Sequence, residues 1–171
     1  MPELTAQERL QPSLLDRLTD DEPDKRVESR DQRVLSLRRL REGVRRDLAW
    51  LLNTGHLASL EDLSGYPLVA HSVLNYGIPD LTGTSAQGAD VSELERALRQ
   101  AIWDFEPRIL HNTIHVRAVA PDRGASHSAL TFVIEGDLWA QPLPLHLYLK
   151  TEIDLETATV RVTDYGGQGP A

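Results

Sequence analysis

The sequence predicts an α+β domain: two main helices packed on one face of a mostly antiparallel four-stranded meander, preceded by a mobile N-terminal arm. Three observations lead there. Apolar residues recur every three or four positions in two long stretches of the first two thirds of the chain. They then alternate every second position in four shorter stretches. Helices that come first and strands that come later give a layered α+β arrangement rather than alternating βα units.

The expected organisation is a flexible docking arm over residues 1–28, a single domain over 29–165 and a disordered tail over 166–171. In the arm, Ser13 can cap a short helix from Leu14 to Leu18 that gathers Leu14, Leu15 and Leu18 on one side. Asp20, Asp21, Glu22, Pro23 and Asp24 follow at once, and so polar a stretch cannot bury enough apolar surface to order itself. The first long helix is expected from about Asp31 to Leu52, with Val34, Leu37, Leu40, Val44, Leu48 and Leu51 as its stripe. Asn53 or Gly55 is expected to close it in a left-handed cap.

Residues 56–88 are irregular and punctuated by Pro67, Gly77, Pro79, Gly83 and Gly88. Leu68 to Leu74 suits a short strand or a helical turn, and periodicity does not decide between them. Leu60, Leu63, Tyr66, Val69, Val73, Leu74, Tyr76 and Ile78 make the segment too apolar for a linker, so it is expected to pack onto the domain. The second helix starts at Asp90, which has capping-box spacing to Glu93, and buries Val91, Leu94, Leu98, Ile102 and Phe105. Pro107 ends it, because proline disfavours helical geometry at Glu106 and brings no amide.

The four strands follow. Ile114, Val116, Ala118 and Ala120 form the inward set of the first, and Leu130, Phe132, Ile134 and Leu138 that of the second. Leu145, Leu147, Leu149 and Ile153 do so in the third, Val160 and Val162 in the fourth. Such alternation means one dry and one wet face. Turns at Pro121–Ser126 and Asp154–Thr157 suit hairpins.

Composition narrows the function classes. Apolar residues at 40% and charged residues at 26% are an ordinary globular balance. No apolar run is long enough for a transmembrane helix, and the polar start lacks a signal-peptide core, so a cytoplasmic location is expected. The absence of cysteine excludes disulfides, thiolate metal sites and cysteine nucleophiles. A net charge of −8 argues against a nucleic-acid binder. Residues 24–47 nonetheless hold nine basic and five acidic side chains, which suits either a charge-complementary surface for a protein partner or a solvated helix face.

No catalytic, metal or cofactor site is expected. His111 and His115 are four apart, but they fall at the start of a strand and lack the glutamate of a metalloprotease motif. Glycoside hydrolysis needs two acids at a defined separation. Glu106, Glu135, Asp137 and Glu152 lie on ordered elements without a recognisable cleft motif. Neither a Gly-x-Ser-x-Gly elbow nor a phosphate-binding glycine loop is present. The most unusual local feature is Phe105-Glu106-Pro107-Arg108-Ile109. Residues i and i+2 of an extended segment point the same way, so Glu106 and Arg108 are expected side by side on an exposed rim. They suit either charge docking with a partner or a helix exit with a weak local ion pair.

Five segments in order resemble the TssE family of type VI secretion baseplate subunits and the related phage baseplate wedge proteins, some of which carry an old lysozyme-like label. They are Ser13-Leu14-Leu15-Asp16-Arg17-Leu18; residues 45–54, from Arg45 to Thr54; residues 72–81, from Ser72 to Leu81; Phe105-Glu106-Pro107-Arg108; and residues 151–157, from Thr151 to Thr157. Ala158 departs from the pattern, which has glycine there. The resemblance implies a structural role. Such subunits join a wedge with TssF, TssG and TssK around the spike hub and prime the TssB–TssC sheath on the Hcp tube, in a baseplate docked at the inner-membrane complex. It implies sheath contact by Glu106, Pro107 and Arg108, and wedge docking by Ser13, Leu14, Leu15, Asp16 and Leu18. It also implies a fold like the sheath's interlocking core, whose open edges a partner strand can extend. A peptidoglycan hydrolase and a free-standing regulatory binding module are the alternative readings.

Overall fold

Helices α1 (Leu14–Leu18), α2 (Leu37–Leu52), α3 (Pro67–Ala70) and α4 (Val91–Phe105) precede strands β1 (His115–Val119), β2 (Ala129–Leu138), β3 (Leu145–Asp154) and β4 (Thr159–Asp164) in the computed structural model. The described residues are 13–19, 24, 37–81, 90–120, 129–140 and 144–165. The strands pair antiparallel in the order β1-β2-β3-β4, the expected meander. α4 lies against β1, α2 lies against β4, and the two helices touch each other on the same face of the sheet.

The periodic stripes explain this layering. Leu40, Val44, Leu48, Leu51 and Leu52 of α2 and Leu94, Leu98, Ala101 and Ile102 of α4 are buried. They meet Phe132, Ile134, Leu147, Leu149, Ile153, Val160 and Val162 from the sheet in one core. Each large apolar side chain so enclosed contributes roughly 1.5–3 kcal/mol. Asp90 caps α4 by accepting a hydrogen bond from the Glu93 N–H at 3.0 Å, as its spacing predicts. The part of the first helix expected before Leu37, the turn at 121–126, and the arm and tail boundaries at residues 28 and 166 lie outside the described residues.

Several expectations need correction. The face of the sheet away from the helices is not wet throughout: Thr131 and Val133 are buried there. Long cross-strand neighbours flank them, since Val133 lies opposite Arg117 and Lys150. Ala118 and Ala120, placed on the dry side by alternation, are exposed at the sheet margin. Neither Asn53 nor Gly55 takes a left-handed cap, because positive φ occurs at Ala158 and Gly77 among the described residues. Asn53 instead reaches across to β4, donating to the Val160 carbonyl at 2.8 Å and accepting from the Val160 N–H at 2.9 Å. On the opposite edge Glu95 accepts from the Ala118 N–H at 2.6 Å. Side chains thus satisfy outward backbone groups on both edge strands, a protection against unwanted strand pairing.

Three short helical turns, Leu57–Ser59, Pro67–Ala70 and Val73–Asn75, interrupt residues 56–81, which settles the ambiguity of Leu68 to Leu74 in favour of helix. α3 is followed by a 3-10 turn at Val73–Asn75. The segment is stapled to the end of α2: the Ile78 N–H donates to the Thr54 carbonyl at 2.8 Å and the His56 N–H donates to the Ile78 carbonyl at 3.0 Å. A side chain at Gly77 would collide with this neighbouring backbone, and its φ of 130° suits glycine alone. The expected packing holds only in part. Ile78 is buried and Tyr76 half-buried, whereas Leu60, Tyr66, Leu68, Val73 and Leu74 are exposed.

Candidate functional site

Pro107 ends α4 as its chemistry requires. Glu106 is the C-cap, and its N–H still donates to the Ile102 carbonyl at 2.9 Å. Beyond it the chain runs antiparallel beside the end of β2. The Trp139 N–H donates to the Arg108 carbonyl at 2.8 Å, and the Leu110 N–H donates to the Asp137 carbonyl at 2.8 Å. Ile109 enters the core at this point and is 1% exposed. Gly136 makes the room: a Cβ there would lie 2.7 Å from Ile109 Cγ2. His111 begins a 3-10 turn rather than the strand, and its ring stacks on Trp103 at 4.4 Å.

This exit does bring Glu106 and Arg108 together, but not as two exposed charges. Glu106 is 3% exposed, which overturns the expected open pair. The physical cause is a fork. Arg108 donates from Nε to Glu106 Oε1 at 2.7 Å and from Nη2 to Oε2 at 2.5 Å, while its own N–H donates to Oε1 at 3.1 Å. A buried carboxylate needs such partners, since desolvation without them is costly. Pro107 is exposed at the outside of the turn.

The fork has a third member that sequence reasoning did not assign. Asp47 of α2 accepts from Arg108 Nη2 at 2.5 Å through one oxygen and from Arg46 Nε at 2.8 Å through the other. Burial on its own would lower the Arg108 pKa, but Glu106 and then Asp47 outweigh it, so the guanidinium is held charged. Tyr76 packs edge-on against Phe105 at 5.2 Å. Burial raises its phenol pKa, with the Asp47 and Glu106 charges adding to the effect. Signals for Asp47 and Tyr76 existed in the sequence. Asp47 follows Val44 by three positions, at the margin of the buried stripe, and Tyr76 precedes a glycine required by the chain crossing.

The other predicted site residues sit on α1 and join the same cluster. The Ser13 hydroxyl caps α1 at the Asp16 N–H and donates to Asp16 Oδ2 at 2.6 Å. Asp16 Oδ1 accepts from Arg46 Nη1 at 2.6 Å. Arg46 also lies over the Trp50 ring, 5.0 Å from its centroid. Leu14, Leu15 and Leu18 all face solvent, Leu14 and Leu18 at 70% and 74% exposure. The two groups of predicted residues are therefore linked in space by Asp47 and Arg46.

Chemically, the cluster is suited to holding geometry and meeting charged or apolar partners. Glu106 cannot serve as a glycosidic acid in this position, because the carboxylate is enclosed and occupied by Arg108. His71 pairs with Asp104 and His146 with Asp137, each at 2.9 Å. Among the described residues no group of three or more His, Asp or Glu side chains is placed to hold a metal ion, and no helix is long and apolar enough to cross a membrane.

No curated protein and no solved structure matches the chain. The family model described as baseplate wedge protein gp25 matches residues 38–143. That span exceeds half of the sequence and runs from α2 past the end of β2, taking in Asp47, Tyr76 and the Glu106–Arg108 fork. The chain therefore belongs to the gp25 baseplate wedge family.

Proposed function

We propose that this protein is a structural, non-enzymatic subunit of a type VI secretion baseplate, which joins the TssF–TssG–TssK wedge and primes assembly of the TssB–TssC sheath. It would work in the cytoplasm, in a baseplate docked at the inner-membrane complex, with the hub and tube nearby. One observation carries this reading beyond family membership: the Glu106–Pro107–Arg108 turn is held rigid at the rim of the sheet, buttressed from α2 by Asp47. A turn braced in this way, with an exposed proline at its outside, suits the docking of a partner, since little ordering remains to be done on binding. Asn53 and Glu95 occupy outward backbone groups of β4 and β1. Strand addition at those positions must displace them, which favours side-chain docking at the turn as the first sheath contact.

In this reading α1 supplies the wedge contact through Leu14, Leu15 and Leu18, an outward apolar face suited to a groove. Ser13 and Asp16 shape and hold it. The test is recovery of TssF–TssG with full-length protein carrying Leu14→Asp and Leu18→Asp. Both side chains are exposed, so folding should be retained while recovery falls sharply. Undiminished recovery would refute the wedge contact. Release of muropeptides by the purified protein, abolished by Glu106→Gln, would instead establish the hydrolase reading.

A further inference from the structure

α1 is held on the domain by charge, with its leucines turned away. A five-residue helix has no stability of its own in water. Burial of its apolar face would be the ordinary way to hold it, yet Leu14 and Leu18 are largely exposed. The link in view is Asp16. Its carboxylate sits beside Gly43 of α2, where a Cβ would lie 3.5 Å from Asp16 Oδ2 and 3.7 Å from Arg108 Nη1. The glycine leaves open the space in which acid and guanidinium approach.

From Asp16 the charges alternate in sign along one path. Asp16 pairs with Arg46, Arg46 with Asp47, Asp47 with Arg108, and Arg108 with Glu106. Every member except Asp16 belongs to α2 or to the exit of α4. Asp47 is shared between the two guanidiniums, and the Arg108 charge also bears directly on Asp16, so the hold on Asp16 depends on how Arg108 is engaged. Arg46 Nη2 is buried without a hydrogen-bond partner among the described residues, so its Nε and Nη1 alone carry the contacts to Asp47 and Asp16.

We infer that Asp16 is an ionic latch: it seats α1 on Arg46 and couples the position of the leucine face to the Glu106–Arg108 fork through Asp47. Asp16 is a positioning residue in this scheme, and the leucines remain the docking surface. The meaning of the latch for assembly rests on the proposed function, since it would let engagement at the fork alter presentation of the arm. The latch itself is a property of the free chain.

Hydrogen exchange of the α1 amides in the full-length protein tests it, with β2 and β3 amides as the internal measure of folding. Asp16→Asn and Arg46→Gln should each speed α1 exchange on the order of tenfold, the scale of one charge-assisted hydrogen bond. The double variant should be no faster than either single one, because both remove the same contact. Arg108→Gln should also speed α1 exchange, by a few-fold: it makes no hydrogen bond to Asp16, but it removes a partner of Asp47 and a positive charge that favours the Asp16 carboxylate. If Arg108→Gln unfolds the domain, the combined Glu106→Gln, Arg108→Gln variant takes its place. An effect of Asp16→Asn without one from Arg46→Gln would reduce Asp16 to a local capping role and overturn the latch. Unchanged α1 exchange in both fork variants would overturn the coupling. Partners take no part in this measurement, so its failure is distinct from a failure to recover TssF–TssG.

Discussion

Replacing Arg108 by alanine should destabilise the fold substantially, because it strips a buried carboxylate of its partner. Glu106 is 3% exposed and accepts three hydrogen bonds from Arg108, of which only the one from the backbone N–H would remain. Breaking a fully buried ion pair costs about 3–5 kcal/mol. Arg108 keeps 24% side-chain exposure, so water can partly replace it and the lower end applies, about 3 kcal/mol. For a chain of this size that corresponds to a fall in Tm of roughly 6–12 °C. Glu106→Gln with Arg108→Met removes the buried carboxylate together with its partner and should be more stable than Arg108→Ala, while Asp47, part-exposed, keeps Arg46 and gains water in place of Arg108. Urea and thermal unfolding of the parent, Arg108→Ala and the double variant measure both quantities. An Arg108→Ala protein as stable as the parent, or a double variant no better than Arg108→Ala, would refute the buried-fork argument.

Other consequences are open to simpler measurements. Ala158 follows the β3–β4 turn at φ 51°. Left-handed geometry penalises alanine by roughly 1–2 kcal/mol, partly offset by the greater chain entropy of glycine, so Ala158→Gly should raise Tm slightly; a lower Tm would contradict the strain. Asn53→Ala leaves two backbone groups of Val160 unpaired and should cost about 1 kcal/mol, with faster hydrogen exchange at Val160 as the local sign. Burial opposes the charged form of Asp16, but the Ser13 and Arg46 hydrogen bonds outweigh it and set its pKa below the ordinary 3.8. Its contribution is therefore complete above pH 3.8 and lost as pH falls through the lowered value. Trp50 fluorescence in a Trp103→Phe, Trp139→Phe background should follow that loss, and Asp16→Asn should abolish it.

The layered architecture was legible because its signals are local and repeated. The stripe through Val44, Leu48 and Leu51 and the alternation through Leu145, Leu147 and Leu149 each describe one face of one element. Pro107 marked the end of α4 through its missing amide and fixed φ. The burial of Glu106 was not legible in the same way. Its i, i+2 relation to Arg108 announces the pair, but enclosure depends on Ile109 entering the core past Gly136 and on Asp47 arriving from α2. Asn53 illustrates the same limit. Its identity suggests a helix cap, whereas its side chain serves a strand more than a hundred positions later. In residues 56–81 apolar composition overstated packing, because Leu60, Leu68 and Val73 remain outside the core.

If the Glu106–Arg108 fork serves sheath assembly as well as folding, the Glu106→Gln, Arg108→Met double variant separates the two. The most direct test is the number of fluorescent sheaths per cell in a strain carrying Glu106→Gln with Arg108→Met, at protein abundance matched to the parent. Near-complete loss of sheaths is expected, although the purified variant folds and unfolds at a higher temperature than Arg108→Ala. Normal sheath numbers from that variant would contradict a role in assembly and leave the fork a purely structural helix exit.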